Sequence, residues 1–120
     1  LESDPKDHES RKLVIRCLIR FGDLSVAQQD SSGAYRGYMT AARDCQLLMN
    51  AGEAYRSWAL PVRAWTAAQV YAYADETTRE ALVSGELKLY KQWETGFGID
   101  AKWLADVLQG RAKLPRPDGV

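Results

Sequence analysis

Apolar positions along this chain recur mostly at three- and four-residue spacing, the period of one helix face, and caps and glycine stops interrupt them. The pattern is cleanest from Gly98 to Arg111. There Ile99, Trp103 and Val107, with Leu104 and Leu108, recur every four residues. Asp100 is placed to accept the free backbone N–H groups at the start of the helix, and Gly110 supplies the left-handed residue that closes it. From Ala34 to Asn50, the residues Tyr38, Ala42, Cys45 and Met49 form a second ladder, widened by Met39, Leu47 and Leu48 and ended at Ala51-Gly52. Arg36 and Arg43 fall off that face, as a solvated edge would.

The remaining segments read less uniformly. Asp4-Pro5, with Asp7 and Glu9 behind it, looks like a helix entrance. The helix would run to about Phe21 with Gly22 as its stop. Its apolar stripe would be Leu13, Cys17 and Phe21 with Val14 and Leu18, and its basic stripe Lys12, Arg16 and Arg20. The β-branched run from Lys12 to Phe21 also fits a strand, although a capped start and a glycine stop belong to helices. Asp23 to Gln29 suggests a further short helix before the polar connection Asp30-Ser31-Ser32-Gly33. Glu53 to Leu60 is expected to stop before Pro61, because the residue preceding a proline is pushed out of helical geometry.

Thr66-Ala67-Ala68-Gln69 and Thr77-Thr78-Arg79-Glu80 both have the form of a capping box, which predicts two short helices joined by a tight turn around Asp75-Glu76. Ser84-Gly85 suggests a break, after which Leu87, Tyr90, Trp93 and Phe97 line one side of a helix ending at Gly96. These elements predict an all-α fold, a compact bundle of five to seven short helices packed orthogonally or antiparallel. Residues 1–9 read as an N-terminal tail or helix start, 10–114 as a single helical domain, and 115–120, with Pro115, Pro117 and Gly119, as a flexible extended tail.

Composition narrows the class. At 120 residues, 46% apolar and 27% charged, the chain is long enough for one core and lies far from the composition of disordered segments. Sixteen basic and sixteen acidic side chains cancel, so attraction to nucleic acid or an anionic surface must come from a local patch. No apolar run approaches the roughly 20 residues of a membrane span. Cys17 and Cys45 both sit in apolar periodic segments and read as buried, reduced thiols of a soluble cytoplasmic protein. The start at Leu1 rather than Met reads as a processed or excised piece of a longer product, with Leu1-Glu2 as a cloning remnant.

Catalytic chemistry finds little to work with. The single histidine, His8, lies in a polar stretch and reads as a surface residue, which argues against a Ser–His or Cys–His nucleophile. One histidine and two distant cysteines fit no zinc spacing, and Gly96-Phe97-Gly98 lacks the lysine of a phosphate loop. Asp75, Glu76 and Glu80 stand where helix caps are expected rather than as a catalytic carboxylate pair. The expectation is a non-enzymatic binding domain without cofactor or metal.

Two binding roles are open. The stretch Gly98-Ile99-Asp100-Ala101-Lys102-Trp103-Leu104-Ala105-Asp106-Val107-Leu108-Gln109-Gly110-Arg111 resembles the recognition-helix region of Cro and phage-repressor-type helix-turn-helix domains. In that family a glycine and an aliphatic residue precede a polar cap, a short helix carries paired apolar anchors, and a glycine and an arginine follow. The resemblance implies a DNA-associated regulator in which Lys102 and Gln109 face bases while Arg111, Lys113 and Arg116 meet phosphates. The other role is a protein-interaction module, an adaptor or inhibitor, using a surface rich in tyrosine and tryptophan: Tyr55, Trp58, Trp65, Tyr71 and Tyr73. Duplex DNA and a protein are thus the two candidate partners.

Overall fold

The structure, a computed structural model, describes residues 5–93 and 100–120. Among these residues there is no strand. Five α-helices run α1 (Pro5–Ala27), α2 (Ser31–Met49), α3 (Glu53–Tyr73), α4 (Glu76–Tyr90) and α5 (Ala101–Leu108), with a 3₁₀ turn at Lys91–Trp93. Asp4 and the Gly96 to Ile99 stretch, on which several of the sequence expectations fall, lie outside the described residues, as does the side chain of Trp93.

Cross-contacts set the topology. Arg11 lies 3.9 Å from Asp44 while the Tyr38 hydroxyl donates to Asp23 at 2.7 Å, so numbers rise along α1 as they fall along α2. Arg56 to the Met49 carbonyl and Arg63 to the Ala42 carbonyl place α3 antiparallel to α2 in the same way. Arg79 to the Tyr71 carbonyl and the Tyr90 hydroxyl to the Leu60 carbonyl do so for α4 against α3. Helix α2 packs along both α1 and α3, and α5 closes against α3 and α4. The core draws on every helix, with Ile15 and Ile19, Cys45 and Leu48, Leu60 and Val70, Tyr90, Leu104 and Leu108 buried.

Local rules account for most helix ends. The carboxylate of Asp30 accepts the Gly33 amide, that of Asp75 accepts the Thr78 amide, and that of Asp100 accepts the Lys102 amide, each satisfying an orphan donor of a first turn. Gly110 takes φ +78°, the left-handed conformation expected of it after α5.

Where expectation and structure differ, longer-range packing is the reason. Gly22 does not stop α1, which absorbs the segment expected as a separate helix. A side chain there would collide with the Tyr38 ring, because α1 and α2 cross closely at that point. Pro61 lies inside α3. It is exposed, and so is Ser57, the residue whose carbonyl loses its amide donor, so the lost bond falls where water can replace it. Thr66 therefore caps nothing: it is buried in the middle of α3 and donates to the Arg63 carbonyl. Nor does Ser84-Gly85 interrupt α4, while the turn near Asp75 stands where the sequence put it.

The last residues are packed down rather than trailing. Val120 is buried, and Arg116 lies over the Trp65 ring at 4.8 Å, donating to the Val120 carbonyl and, at 2.6 Å, to Asp23. Burial raises the pKa of Asp23, but hydrogen bonds from Arg116 and Tyr38 and the charge of Arg116 outweigh it and hold the carboxyl below its ordinary value. A depressed carboxyl contributes stability above its unfolded pKa, about 3.9, and loses it as pH falls through the folded value. The stability difference between wild type and Asp23→Asn, measured by urea unfolding, is expected to be constant near neutrality and to shrink below about pH 4. A difference that stays constant down to pH 2 would contradict this.

Candidate functional site

Helix α1 turns the wrong-looking face inward. Its buried positions are Ile15, Ile19, Gly22 and Ser25, all small or of moderate size, which lets it lie close against α2. Its basic stripe also faces the protein: Lys12 sits 5.8 Å from the Tyr55 ring centroid and 5.2 Å from that of Trp58, and Arg16 lies 5.7 Å from Trp58. The stems of these long side chains cover aromatic surface, and Arg16 Nε is itself buried there without a hydrogen-bond partner among the described residues. His8 joins this cluster, half-buried with its ring 4.7 Å from Tyr55, instead of standing free on the surface.

The apolar stripe expected to form the core is consequently left outside. Leu13, Val14, Phe21 and Leu24 are between 45% and 58% exposed, Cys17 is exposed, and of the predicted stripe only Leu18 is half-buried. On α2, Leu47, expected to widen the inner face, is 56% exposed. The other thiol, Cys45, is buried as expected, and burial pushes it up to about 12.

Helical spacing shows how these residues are arranged. Leu13, Cys17 and Leu24 lie along the crown of α1, while Val14 and Phe21, seven residues apart, lie on the flank that borders α2. Thr40 and Leu47, also seven apart, occupy the flank of α2 that borders α1. The outer side of the α1–α2 pair is thus a shallow apolar trough. Beside it, on α2, stand the exposed cations Arg36 and Arg43, and across it, on α1, stands Arg20. None of the three is ion-paired to a described residue.

The residues expected to meet DNA divide. Lys102 and Lys113 are exposed, whereas Arg111 donates to Asp106 at 3.0 Å and Arg116 is held by Asp23. Gln109 is half-buried at the end of α5. The five aromatic residues do not form one surface either. Tyr55 and Trp58 lie under Lys12 and Arg16, Trp65 is buried beneath Arg116, Tyr73 packs against the core, and Tyr71 lies beneath Arg79 at 4.9 Å.

Parts of both sets meet at a second concavity. Trp65, Tyr71, Arg79, Gln109 and Lys113 line a groove of about 590 Å³ between α3 and the segment after α5. A neighbouring groove of about 660 Å³ shares Tyr71, Arg79 and Gln109 and adds Glu76 and Glu80 from α4. Arg79 is occupied there with the Tyr71 and Ala72 carbonyls at the end of α3. No group of three or more His, Cys, Asp or Glu among the described residues could hold a metal ion, and no described helix is long and apolar enough to cross a membrane.

No protein-family model, curated protein or solved structure matches this chain. Its function must be argued from these surfaces. The α1–α2 face was missed by the sequence reading because both of its stripes follow a helical period, and the usual rule sends the apolar one inward. The available signal was Gly22 opposite the side on which Leu13, Cys17 and Leu24 lie.

Proposed function

We propose that this chain is a non-enzymatic helical protein-interaction module that engages its partner through the outer face of α1 and α2. The observation that carries the reading is the set of exposed apolar side chains on the outer side of α1, Leu13, Val14, Phe21 and Leu24, with Leu47 exposed on α2. Isolated exposed leucines are ordinary on protein surfaces. A contiguous apolar patch rimmed by charge marks a place where another molecule sits.

Because these side chains contribute little to the isolated fold, Leu13→Glu and Phe21→Glu are expected to change unfolding stability by no more than about 0.5 kcal/mol. The same substitutions should abolish binding of helical peptides selected by display against the wild-type chain. Selected peptides that bind the variants as well as they bind wild type would sink the reading.

The DNA-associated reading rests on Lys102 and Lys113, with Arg111 and Arg116 turned to internal carboxylates. It requires duplex retention that weakens steeply with salt and disappears in Lys102→Ala/Lys113→Ala.

A further inference from the structure

Resting on that reading, we propose that the occupant of the α1–α2 trough is an acidic amphipathic helix of a partner protein, its apolar seam on Leu13, Val14, Phe21 and Leu24 and its carboxylates facing Arg20, Arg36 and Arg43. The strip runs from Leu13 to Leu24, twelve residues of α1 and about 16 Å at helical rise, which is the length of three turns of a partner helix. A helix laid there would run alongside two antiparallel helices and complete a third position in the same layer, the helix-in-groove mode of recognition.

Charge identifies the kind of helix. Arg36 and Arg43 are seven residues apart, so both stand on one side of the trough two turns from each other, and Arg20 stands on the other side. The acids of α1 and α2 near this face are already engaged: Glu9 with Lys12 at 3.6 Å, Asp44 with Arg11, Asp23 with Arg116, and Asp30 as the cap of α2. Asp7 lies beyond the first apolar residue of the strip by nearly two turns. Arg20, Arg36 and Arg43 are thus the cations beside the trough with no salt-bridge partner among the described residues, Arg20 acting on Asp23 only at longer range, so the unpaired charge there is positive although the chain as a whole is neutral. Complementary flanks raise the association rate and select among apolar helices, and like-charged flanks reject them. A second copy of this chain fits less well, since pairing two such faces would gather the arginines of both copies along one rim.

Two helical peptides of about 18 residues test the proposal, sharing one leucine seam and differing only in whether Glu or Lys flanks it. They are titrated into the full chain, with fluorescence anisotropy giving affinity. The alkylation rate of Cys17, in the middle of the face, gives location; Cys45 is buried and stays silent. The Glu-flanked peptide is expected to bind at least about tenfold more tightly than the Lys-flanked one and to slow Cys17 alkylation. In Arg36→Glu/Arg43→Glu the preference should invert, and in Arg36→Gln/Arg43→Gln it should vanish, the latter serving should the reversal disturb α2.

Equal binding of the two peptides, with protection of Cys17, would overturn the acidic partner and leave the docking face standing. Binding of either peptide undiminished by Leu13→Glu would remove the docking face itself. Failure of both peptides to bind, with the chain adsorbing to phosphatidylglycerol vesicles but not to phosphatidylcholine ones, would replace the partner helix by a membrane surface. A concentration-dependent dimer abolished by Phe21→Glu would replace it by a second copy.

Discussion

Replacing Glu86 with Ala is expected to destabilise the fold by about 3–5 kcal/mol, seen as a lower urea midpoint at unchanged m-value. The carboxylate is only 2% exposed and lies between α3 and α4. Arg63 Nε donates to both of its oxygens at 3.1 Å and Nη2 donates again to one of them, while Nη1 reaches the Ala42 carbonyl and the Gln46 side chain on α2. One guanidinium thus joins three helices. Burial acts to lower the pKa of Arg63, yet the hydrogen bond and charge of Glu86 prevail and raise it. Without Glu86 that support is gone, but a guanidinium is not deprotonated in a protein, so the charge stays.

Truncating Glu86 leaves that charge buried without its counter-ion, and most of the destabilisation is the cost of this orphan rather than the net worth of the pair. Arg63→Met/Glu86→Leu, which removes both charges while keeping apolar volume, should recover most of the lost stability. If the single and double variants are equally unstable, the ion pair is not the element that matters there.

Gly37→Ala is the second. Alanine normally stabilises a helix interior by up to about 1 kcal/mol over glycine. At Gly37 a Cβ would stand 2.9 Å from the Gly22 nitrogen and 3.0 Å from the Leu18 carbonyl oxygen, both backbone atoms of α1 that no rotamer change can move. The two helices must separate instead, loosening the packing of Ile15 and Ile19, and the expected outcome is a loss of about 1–3 kcal/mol. Gly85→Ala in α4 is the control, because nothing lies within 4 Å of its added carbon. It should stabilise by up to about 1 kcal/mol, so thermal unfolding of the two variants should move in opposite directions. Equal shifts would mean that helix propensity, not the α1–α2 crossing, governs both positions.

Gly37, Gly22 and Pro61 mark the limits of reading elements from a sequence. Glycine and proline are breakers only when nothing else compensates. At Gly22 the close approach of α2 makes glycine the residue that fits, and at Pro61 both the proline and Ser57, whose carbonyl it frees, are exposed. Asp75 and Asp100 could be weighed better, because an N-cap interacts with amides two or three residues away, whereas Asp30, read as part of a polar connection, caps α2 and draws Ser31 to Gly33 into the helix. For the same reason Thr66, whose local pattern imitates a cap, was misleading: a box has meaning only where a helix begins.

The candidate face was the least legible. Leu13, Cys17 and Phe21 have the spacing of a core stripe, and Lys12, Arg16 and Arg20 that of a solvated one. Tyr55 and Trp58, forty residues downstream, invert the first two cations by giving them aromatic faces to lie on. The binding surface proposed here therefore appears only once α3 is packed.

By itself the sequence determined what depends on neighbours a few residues apart: that the chain is helical, the turn near Asp75 before α4, the cap of α5 at Asp100, the left-handed closure at Gly110, and the buried ladder of Tyr38, Ala42, Cys45 and Met49. Tertiary structure alone decided how far α1, α3 and α4 extend and which side of α1 faces water. It also drew Arg116 into an ion pair with Asp23, 93 residues away in sequence, and left Arg20, Arg36 and Arg43 without a salt-bridge partner among the described residues. The physical reason is range. Capping and helical period act within one or two turns, whereas burial, cation–aromatic contact and ion pairing join residues that the sequence keeps far apart, and those longer interactions choose which of two periodic faces is the inside.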